Sequence, residues 1–329
     1  MVLLLAAAVA LGCNGTGDEG PFPPAPGMGN ARAFPEGFLF GAATAGFQCD
    51  MGCPTPSFPG CVDAASDWYA YVTSPETTGL FRTFLDGGDP AIIGPGLWEL
   101  YESDFDLAAG PCGHNAFRMS LEWSRIFPRS TLGIEGHENL RAVADPAAVV
   151  HYHDMFRALR ERTLTPLVTL HHYTQPLWVH DGVGCTLDPD GCEHRGWLDR
   201  ETILREIAKY AGFAAREFGA EVDLWGTLNE PFAVLLSGHL LPTPMRSNPP
   251  AVFLDAEGFT TAYEAMITAH ARIYDAVKAG DGIDADGDGD ASRVGLIHAF
   301  APVAPQDPAS ELDRQAAENV FYLWNTAFL

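Results

Sequence analysis

The chain has 329 residues, and 47% of them are hydrophobic, which is enough apolar material for a large buried core. Its 43 Asp and Glu residues outnumber its 19 Lys and Arg residues and give a formal net charge of −24. Because this charge repels phosphate backbones and anionic lipids, we do not expect the protein to bind nucleic acid. The composition fits an exported protein that handles neutral substrates, although acidic residues spread for solubility explain most of the charge.

The N-terminus begins with an apolar run, residues 2–13, that is too short to span a bilayer as a stable helix. It is typical of the core of a secretory signal peptide, which we predict over residues 1–13. The small Gly12 directly before Cys13 resembles a bacterial lipoprotein cleavage site, with Cys13 as the lipid anchor. Residues 14–33 are rich in Gly and Pro and predict a flexible tether. We therefore expect a secreted, periplasmic or cell-surface lipoprotein.

The chain contains seven cysteines, and setting Cys13 aside for lipid leaves an even number. An even set is consistent with disulfides in an oxidising compartment. Cys185 and Cys192 flank a short loop and are the pair we expect first. The remaining four could pair in three ways, and they are Cys49, Cys53, Cys61 and Cys112. Zinc ligation is the rival interpretation, but one Cys-x3-Cys spacing without a second close pair is a poor zinc pattern.

Apolar strands alternate with amphipathic helices along the chain. The predicted strands cover residues 38–45, 115–120, 166–170, 224–230 and 294–297, the first of them buried on both faces. The predicted helices cover residues 98–109, 146–162, 200–218 and 262–277, and a last helix opens at Asp307-Pro308. This alternation favours a parallel sheet with crossover helices. No helix has a G-x-G-x-x-G entry, which argues against a dinucleotide-binding doubly wound fold.

Polar residues follow several of the predicted strands directly. Gln48, His172 and the pair Asn229–Glu230 each stand just past a strand, and Pro231 ends the last of these strands. In a (β/α)8 barrel the loops after the strands build the active site, so these side chains are expected to meet there. The sequence thus predicts an α/β fold of the (β/α)8 TIM barrel type. Five predicted strands correspond to about the first five β/α units, so we expect the barrel to be incomplete and the chain to be part of a longer protein.

Four segments, in this order, resemble the motifs of glycoside hydrolase family 1, the group of retaining β-glucosidases, β-galactosidases and relatives. They are residues 34–44 with Gln48, residues 115–128, residues 169–178 and residues 227–231 (Thr-Leu-Asn-Glu-Pro). The resemblance implies that residues 34–329 are the N-terminal part of a glycosidase (β/α)8 barrel. It also implies a β-linked glycoside or oligosaccharide as substrate, with no cofactor required.

The resemblance assigns Glu230 as the general acid/base, which protonates the leaving oxygen and then activates water. Retention needs a second carboxyl about 5 Å away as nucleophile. In the family this is a Glu in a Thr-Glu-Asn-Gly type motif on the seventh strand, and no such motif occurs in the sequence. We therefore expect the nucleophile to lie beyond this chain, and the chain alone to be inactive.

The remaining implied site residues would bind the sugar or hold the nucleophile. Arg118 would lie near the nucleophile and stabilise its charge. Tyr173 stands where the family often has Trp and keeps an aromatic stacking face. The hydroxyl groups of the sugar would be hydrogen-bonded by Gln48, His172 and Asn229.

Each of these residues also has an ordinary structural interpretation. Arg118 could neutralise a core carboxylate, since buried arginines usually pair. His172, with its neighbour His171, could be a core histidine, although its position at a strand end favours a function. Gln48 could be a loop residue that makes a local hydrogen bond, and Glu230 could be a structural carboxylate.

One acidic segment lies outside the barrel motifs. It carries carboxylates at alternate positions and a glycine at the sixth, as a calcium loop begins, and these carboxylates are Asp284, Asp286, Asp288 and Asp290. The twelfth position is Gly295 instead of the Glu of a full EF-hand. A structural Ca2+ site and a plain acidic surface loop therefore both remain open.

The sequence leaves two main functional classes. The first is a retaining β-glycosidase outside the cytoplasm. The second is a non-catalytic carbohydrate-binding or scaffold protein derived from the same fold. A calcium-dependent adhesion module is a third class, supported by the acidic segment alone. A seventh-strand Glu in the complete protein would discriminate the first class from the second.

Overall fold

The structure is a computed structural model, and it describes residues 34–81, 90–244 and 246–328. The predicted signal peptide, the tether and Cys13 lie outside these residues. Within them, five strands form one parallel sheet in the order β1-β2-β3-β4-β5. The strands are β1 (Gly41–Ala43), β2 (Ala116–Ser120), β3 (Thr165–His171), β4 (Leu224–Asn229) and β5 (Arg293–Ile297).

Helices connect the strands, and several short ones lie in the loops. They are α1 (Gly46–Asp50), α2 (Asp67–Thr73), α3 (Pro75–Phe81), α4 (Pro90–Ile93), α5 (Leu97–Ala109), α6 (Trp123–Ile126), α7 (His137–Val143), α8 (Pro146–Glu161), α9 (Gly182–Leu187), α10 (Arg200–Phe218), α11 (Pro231–Leu235), α12 (Ala256–Gly280) and α13 (Glu311–Phe321). Short 3-10 and π turns cover Gly196–Leu198, Leu236–Leu240 and Tyr322–Thr326. None of the described helices is both long enough and apolar enough to span a membrane.

The strand order distinguishes a barrel from a doubly wound sheet. Each strand pairs in parallel with the next strand along the chain, with Ala42 opposite Phe117 and Val168 opposite Trp225. Right-handed crossovers that always step in the same direction place all their helices on one face and curl the sheet. A doubly wound sheet instead reverses its strand order at a switch point. The structure therefore confirms a (β/α)8-type barrel of which five strands are present.

The core lies between the sheet and its long helices. Asp199 caps α10 by accepting a hydrogen bond from the amide of Thr202, as its sequence position predicts. Helix α10 buries a face that includes Ile203 and Ile207, and it packs against α12. Ala262 and Ala269 of α12 are fully buried, and such small side chains let the two helices approach closely. This packing holds the sheet, and hence the ends of its strands, in place.

The first predicted strand is wrong in its length and its burial. β1 has only three residues, and Gly41 and Ala43 are exposed because β1 is an edge strand of the sheet. A side chain at Gly41 would place its Cβ 2.4 Å from the carbonyl oxygen of Ala116, so only glycine fits there. The chain then turns into the short helix α1, and Gln48 lies on this helix instead of at a strand end.

The last predicted helix begins later than expected. Asp307-Pro308 does not open it, and α13 begins at Glu311. Ser310 is the cap, and its hydroxyl accepts a hydrogen bond from the amide of Asp313. The carboxylate of Asp307 accepts an amide hydrogen bond inside the preceding turn, which uses the group that capping would have needed.

Among the described residues, two cysteine pairs lie at bonding distance. Cys185 is paired with Cys192, as expected, and Cys53 is paired with Cys61. The expectation that all six cysteines pair is wrong for Cys49, which is a free thiol. It lies on α1, partly buried, and packs against the core as a small apolar side chain.

Candidate active site

Strand β4 delivers Glu230 to the carboxyl edge of the sheet. The last residues of the strand are buried, and Glu230 follows them with φ 44° and ψ 57°, a left-handed backbone that is rare for a residue other than glycine. Its amide donates a hydrogen bond to the carbonyl of Ile297 on β5, at 2.8 Å. Pro231 then starts α11. A strained conformation held this firmly is typical of a functional position.

Tyr173 contacts the carboxylate of Glu230 directly. Its phenol donates a hydrogen bond to Oε2 of Glu230 at 2.6 Å. Tyr173 also has a left-handed backbone, φ 77°, at the position where the chain leaves β3. Burial raises the pKa of Tyr173, and the bonded carboxylate raises it further, so the phenol keeps its proton as a donor.

Arg118 on β2 connects three neighbouring strands. Its Nε donates to Oγ1 of Thr169 on β3 at 2.9 Å, and its Nη2 donates to Oδ1 of Asn229 on β4. Burial lowers the pKa of Arg118, and the negative charge of Glu230 opposes this shift. No carboxylate in the described part of the chain forms an ion pair with Arg118. Arg118 instead fixes Asn229 beside Glu230.

The two adjacent histidines have different surroundings. Nδ1 of His172 lies 2.8 Å from Oγ of Ser120 on β2, and its ring meets the ring of Tyr173 edge-on at 4.8 Å. Burial lowers the pKa of His172 to about 3, helped by Arg118 and His171, so its imidazole is neutral and acts as a hydrogen-bonding group. His171 is buried against the ring of Trp197, as a core residue would be.

Gln48 shares a cavity with Tyr173. Among the described residues, no hydrogen bond connects the side chain of Gln48 with the other predicted site residues. The cavity has a volume of about 620 Å³, and both Gln48 and Tyr173 line it. Trp68 also lines it and stacks on Tyr173, with ring centroids 5.9 Å apart and planes inclined by 21°. Trp68 belongs to the long excursion after β1, where the sequence carries no signal that would single it out.

Glu122 connects α1, which carries Gln48, with the loop that carries Tyr173. It is fully buried, its Oε1 accepts the amide of Phe47 at 2.9 Å, and its Oε2 accepts the hydroxyl of Thr174. Burial raises its pKa well above the usual range, and the nearby carboxylates of Asp63 and Asp50 add to the effect. Sequence reasoning missed this residue, although it lies inside the motif of residues 115–128.

The acidic segment before β5 is only partly assembled as the sequence suggests. Asp284 and Asp286 converge with Asp223, and their ligand atoms lie within 4.8 Å of one another. Asp288 instead pairs with Arg293, and Asp290 pairs with Lys278 and Arg293. The structure therefore brings together two of the four predicted ligands, and sequence reasoning missed Asp223, which stands before another strand.

The assembled residues form one continuous set at the carboxyl ends of β2, β3 and β4. It holds a carboxyl group with a phenol donor, an arginine that fixes an amide, and a neutral histidine. Its connected members are Arg118, His172, Tyr173, Asn229 and Glu230. Such a set can bind several hydroxyl groups and exchange a proton through its carboxyl.

Comparison with known proteins places this arrangement among the glycosidases. The sequence profile of Glycosyl hydrolase family 1 matches residues 30–329. A β-galactosidase of Pyrococcus woesei is 34% identical over 308 residues, covering 87% of this chain and 58% of the relative. The β-glycosidase of the hyperthermophile Thermosphaera aggregans is similar in structure, with a TM-score of 0.76 at 32% identity, covering 88% of this chain and 60% of that one.

A plant relative is similar as well. Beta-glucosidase 23 of Arabidopsis thaliana is 31% identical over 243 residues, which are 72% of this chain and 38% of the relative. This chain thus spans less than two thirds of the length of the relatives that it matches. With the profile matching nearly the whole chain and the barrel geometry agreeing, the chain belongs to glycosyl hydrolase family 1.

Proposed function

We propose that this chain supplies the acid/base part of a retaining β-glycosidase that removes terminal β-linked sugars. The hydrogen bond from Tyr173 to Glu230 at the carboxyl edge of the sheet carries the proposal. Glu230 protonates the glycosidic oxygen as its bond to the anomeric carbon breaks. A second carboxylate attacks that carbon and forms a covalent glycosyl-enzyme intermediate. Glu230 then accepts a proton from the water that releases the sugar, and no cofactor is needed.

The second carboxylate belongs to the part of the protein that this chain does not contain. Relatives named β-galactosidase extend well beyond the matched region, since the match covers only 58% of the one from Pyrococcus woesei. Arg118 would hold that nucleophile, and its hydrogen bond to Asn229 and its electrostatic interaction with Glu230 support this role. Gln48, His172 and Asn229 would form hydrogen bonds with the hydroxyl groups of the sugar. Tyr173 would offer an aromatic face on which the sugar stacks.

The test joins this chain at residue 329 to the remaining part of the Pyrococcus woesei relative. Hydrolysis of 4-nitrophenyl β-D-glucopyranoside and β-D-galactopyranoside is then followed at 405 nm. The chain alone should be inactive and the joined protein active. Glu230→Gln in the joined protein should lower kcat by about 10²–10⁴-fold, the usual contribution of a general acid.

A matched control is Glu257→Gln, an exposed carboxylate on α12 that should leave the rate unchanged. Full activity of the Glu230→Gln protein would overturn the acid/base assignment. Binding of glycosides by a joined protein without any hydrolysis would instead support the non-catalytic carbohydrate-binding alternative.

Export is part of the same proposal. The apolar run over residues 2–13 and the Gly12-Cys13 pair support a lipoprotein leader, and the two cysteine pairs support disulfides in an oxidising compartment. In a bacterial host, labelled palmitate should be incorporated into the wild-type protein and not into Cys13→Ser. Equal labelling of both proteins would contradict the anchor, and unlabelled protein in the cytosol would contradict export.

A further inference from the structure

The cavity beside Tyr173 is aromatic and apolar on most of its surface. Trp68, Tyr71 and Met51 line it together with Tyr173, and Met51 is almost completely buried. Because Tyr173 lines the cavity and bonds the proton donor Glu230, the cavity adjoins the group that would protonate a leaving group. Its volume of about 620 Å³ is enough for a substituted aromatic ring.

Arg246 is the one charged residue among the described residues that line this cavity. In the described part of the chain it forms no ion pair with a carboxylate, although the protein carries 43 acidic residues and a net charge of −24. Its positive charge is close enough to Tyr173 to oppose the rise in the pKa of that phenol. Arg246 therefore brings an unpaired positive charge to a cavity whose other described lining residues are uncharged.

The backbone around Arg246 is fixed by several contacts. Two backbone hydrogen bonds, of 2.9 and 3.0 Å, connect Arg246 with Thr243. Ser247 accepts a hydrogen bond from the phenol of Tyr71 at 3.0 Å, and Asn248 donates to the hydroxyl of Ser237 at 2.6 Å. The backbone that carries Arg246 is therefore fixed beside the cavity by hydrogen bonds on both sides of this residue.

We propose that this cavity binds an aromatic leaving group that carries an anion, such as a carboxylate, with Arg246 as the residue that recognises the charge. The inference rests on the proposed function and names the substrate class of that site. A guanidinium matches a carboxylate with two parallel hydrogen bonds, and aromatic walls reduce the water that competes for them. Trp68 offers the face on which the ring packs.

The experiment measures the binding of intact glycosides to the 329-residue chain by calorimetry. The chain lacks the expected nucleophile, so the ligands are not consumed during the titration. Phenyl β-D-glucopyranoside is compared with its 4-carboxyphenyl analogue, and the same pair of β-D-galactopyranosides covers the other sugar. The carboxylate should tighten binding by roughly two- to fivefold, the range of a solvent-exposed ion pair.

Arg246→Gln should bring this ratio to one while leaving the affinity for the neutral phenyl glycoside unchanged. Arg129→Gln removes an exposed arginine outside the cavity and should keep the wild-type ratio. Added salt should reduce the preference in the wild type and not in Arg246→Gln. A ratio of one in the wild type, or an unchanged ratio in Arg246→Gln, overturns the inference and leaves the glycosidase proposal standing.

A second titration separates the two proposals. Free 4-hydroxybenzoate and phenol are tested against the same three proteins, because they reach the cavity without needing the sugar-binding residues. Arg246-dependent binding of 4-hydroxybenzoate, with no binding of any glycoside, supports the anion site, and hydrolysis by the joined protein then decides the glycosidase function. Absence of binding for both glycosides and free ligands overturns the anion site, and the glycosidase proposal is then decided by hydrolysis in the joined protein.

Discussion

The phenol of Tyr173 and the carboxylate of Glu230 form a hydrogen bond of 2.6 Å between two residues with left-handed backbone. Each residue follows a strand, β3 and β4 respectively, so the bond connects two loops that the sheet alone would leave independent. Strain at both positions is offset by this contact and by the backbone bond of Glu230 to Ile297. The presence of this hydrogen bond in solution therefore shows whether the site is assembled in the 329-residue chain.

A double-mutant cycle with Tyr173→Phe and Glu230→Ala should show a coupling of about 1 kcal/mol in the free energy of unfolding. The reason is that each single change removes the same hydrogen bond. Urea denaturation of the four proteins measures it. In a control cycle, Tyr173→Phe is combined with Glu257→Ala, at an exposed position on α12. The effects of these two changes on the free energy of unfolding should be additive. Additivity in the Tyr173–Glu230 cycle would show that the bond is absent in solution.

Arg118→Lys should lower the free energy of unfolding by about 1–2 kcal/mol. The guanidinium donates through Nε to Thr169 and through Nη2 to Asn229, and one ammonium cannot reproduce this fork. Thermal or urea unfolding measures the loss. Arg129→Lys, at an exposed position, should stay within about 0.5 kcal/mol of the wild type. Equal stabilities for the two variants would mean that Arg118 is not bonded as described.

The sequence predicts the strands and helices whose ends are marked by a proline or a capping residue. β4 ends where Pro231 forces an end, and the cap Asp199 marks the start of α10. β1 was predicted too long because an apolar run of residues does not reveal whether a strand has neighbours on both sides. Gln48 was predicted at a strand end because the sequence gives no local signal for the short helix α1. This helix packs against α5.

The site residues that directly follow strands could be predicted from the sequence. Those that reach the site through contacts between distant segments could not. Glu230, Asn229 and His172 are set by strand ends, which short apolar runs and the residues that flank them reveal. Trp68 and Glu122 reach the site through contacts between segments that are far apart in sequence. Only tertiary packing brings such residues together, so no local pattern marks them.

The calcium hypothesis stays a prediction, now with a changed ligand set. If the loop binds Ca2+, the ligands nearest to one another are Asp223, Asp284 and Asp286. Saturating Ca2+, at about a hundred times Kd, should then stabilise the fold by about 2.7 kcal/mol, and Asp286→Ala should remove most of this gain. Asp290→Ala, whose carboxylate pairs with Lys278, is the control and should keep the larger part of the gain.

Calorimetric titration with Ca2+ and thermal unfolding with and without EDTA measure the effect. An unfolding temperature that does not respond to Ca2+ or EDTA, together with no heat of binding, would leave the acidic segment as a surface loop. A response that survives Asp286→Ala would place the ion elsewhere.

Asp50 should make the fold less stable as the pH rises from 6 to 8. Burial raises its pKa from the model-peptide value of 3.8 to about 7, with Asp63 adding to the rise and Arg125 opposing it. The folded state therefore binds a proton more tightly than the unfolded chain does. The stability from this proton is complete below about pH 4 and is lost as the pH rises through about 7.

Between pH 6 and pH 8 the loss from this single group amounts to about 1.4 kcal/mol, since a tenfold change in proton affinity corresponds to that free energy. Asp50→Asn cannot release a proton, so its stability should change by about 1.4 kcal/mol less than that of the wild type over the same interval. Urea unfolding at the two pH values measures the difference, and Asp275→Asn, an exposed residue on α12, should behave as the wild type. Identical pH dependence in Asp50→Asn and the wild type would mean that Asp50 is ionised throughout and that its ion pair with Arg125, 3.7 Å apart, outweighs its burial.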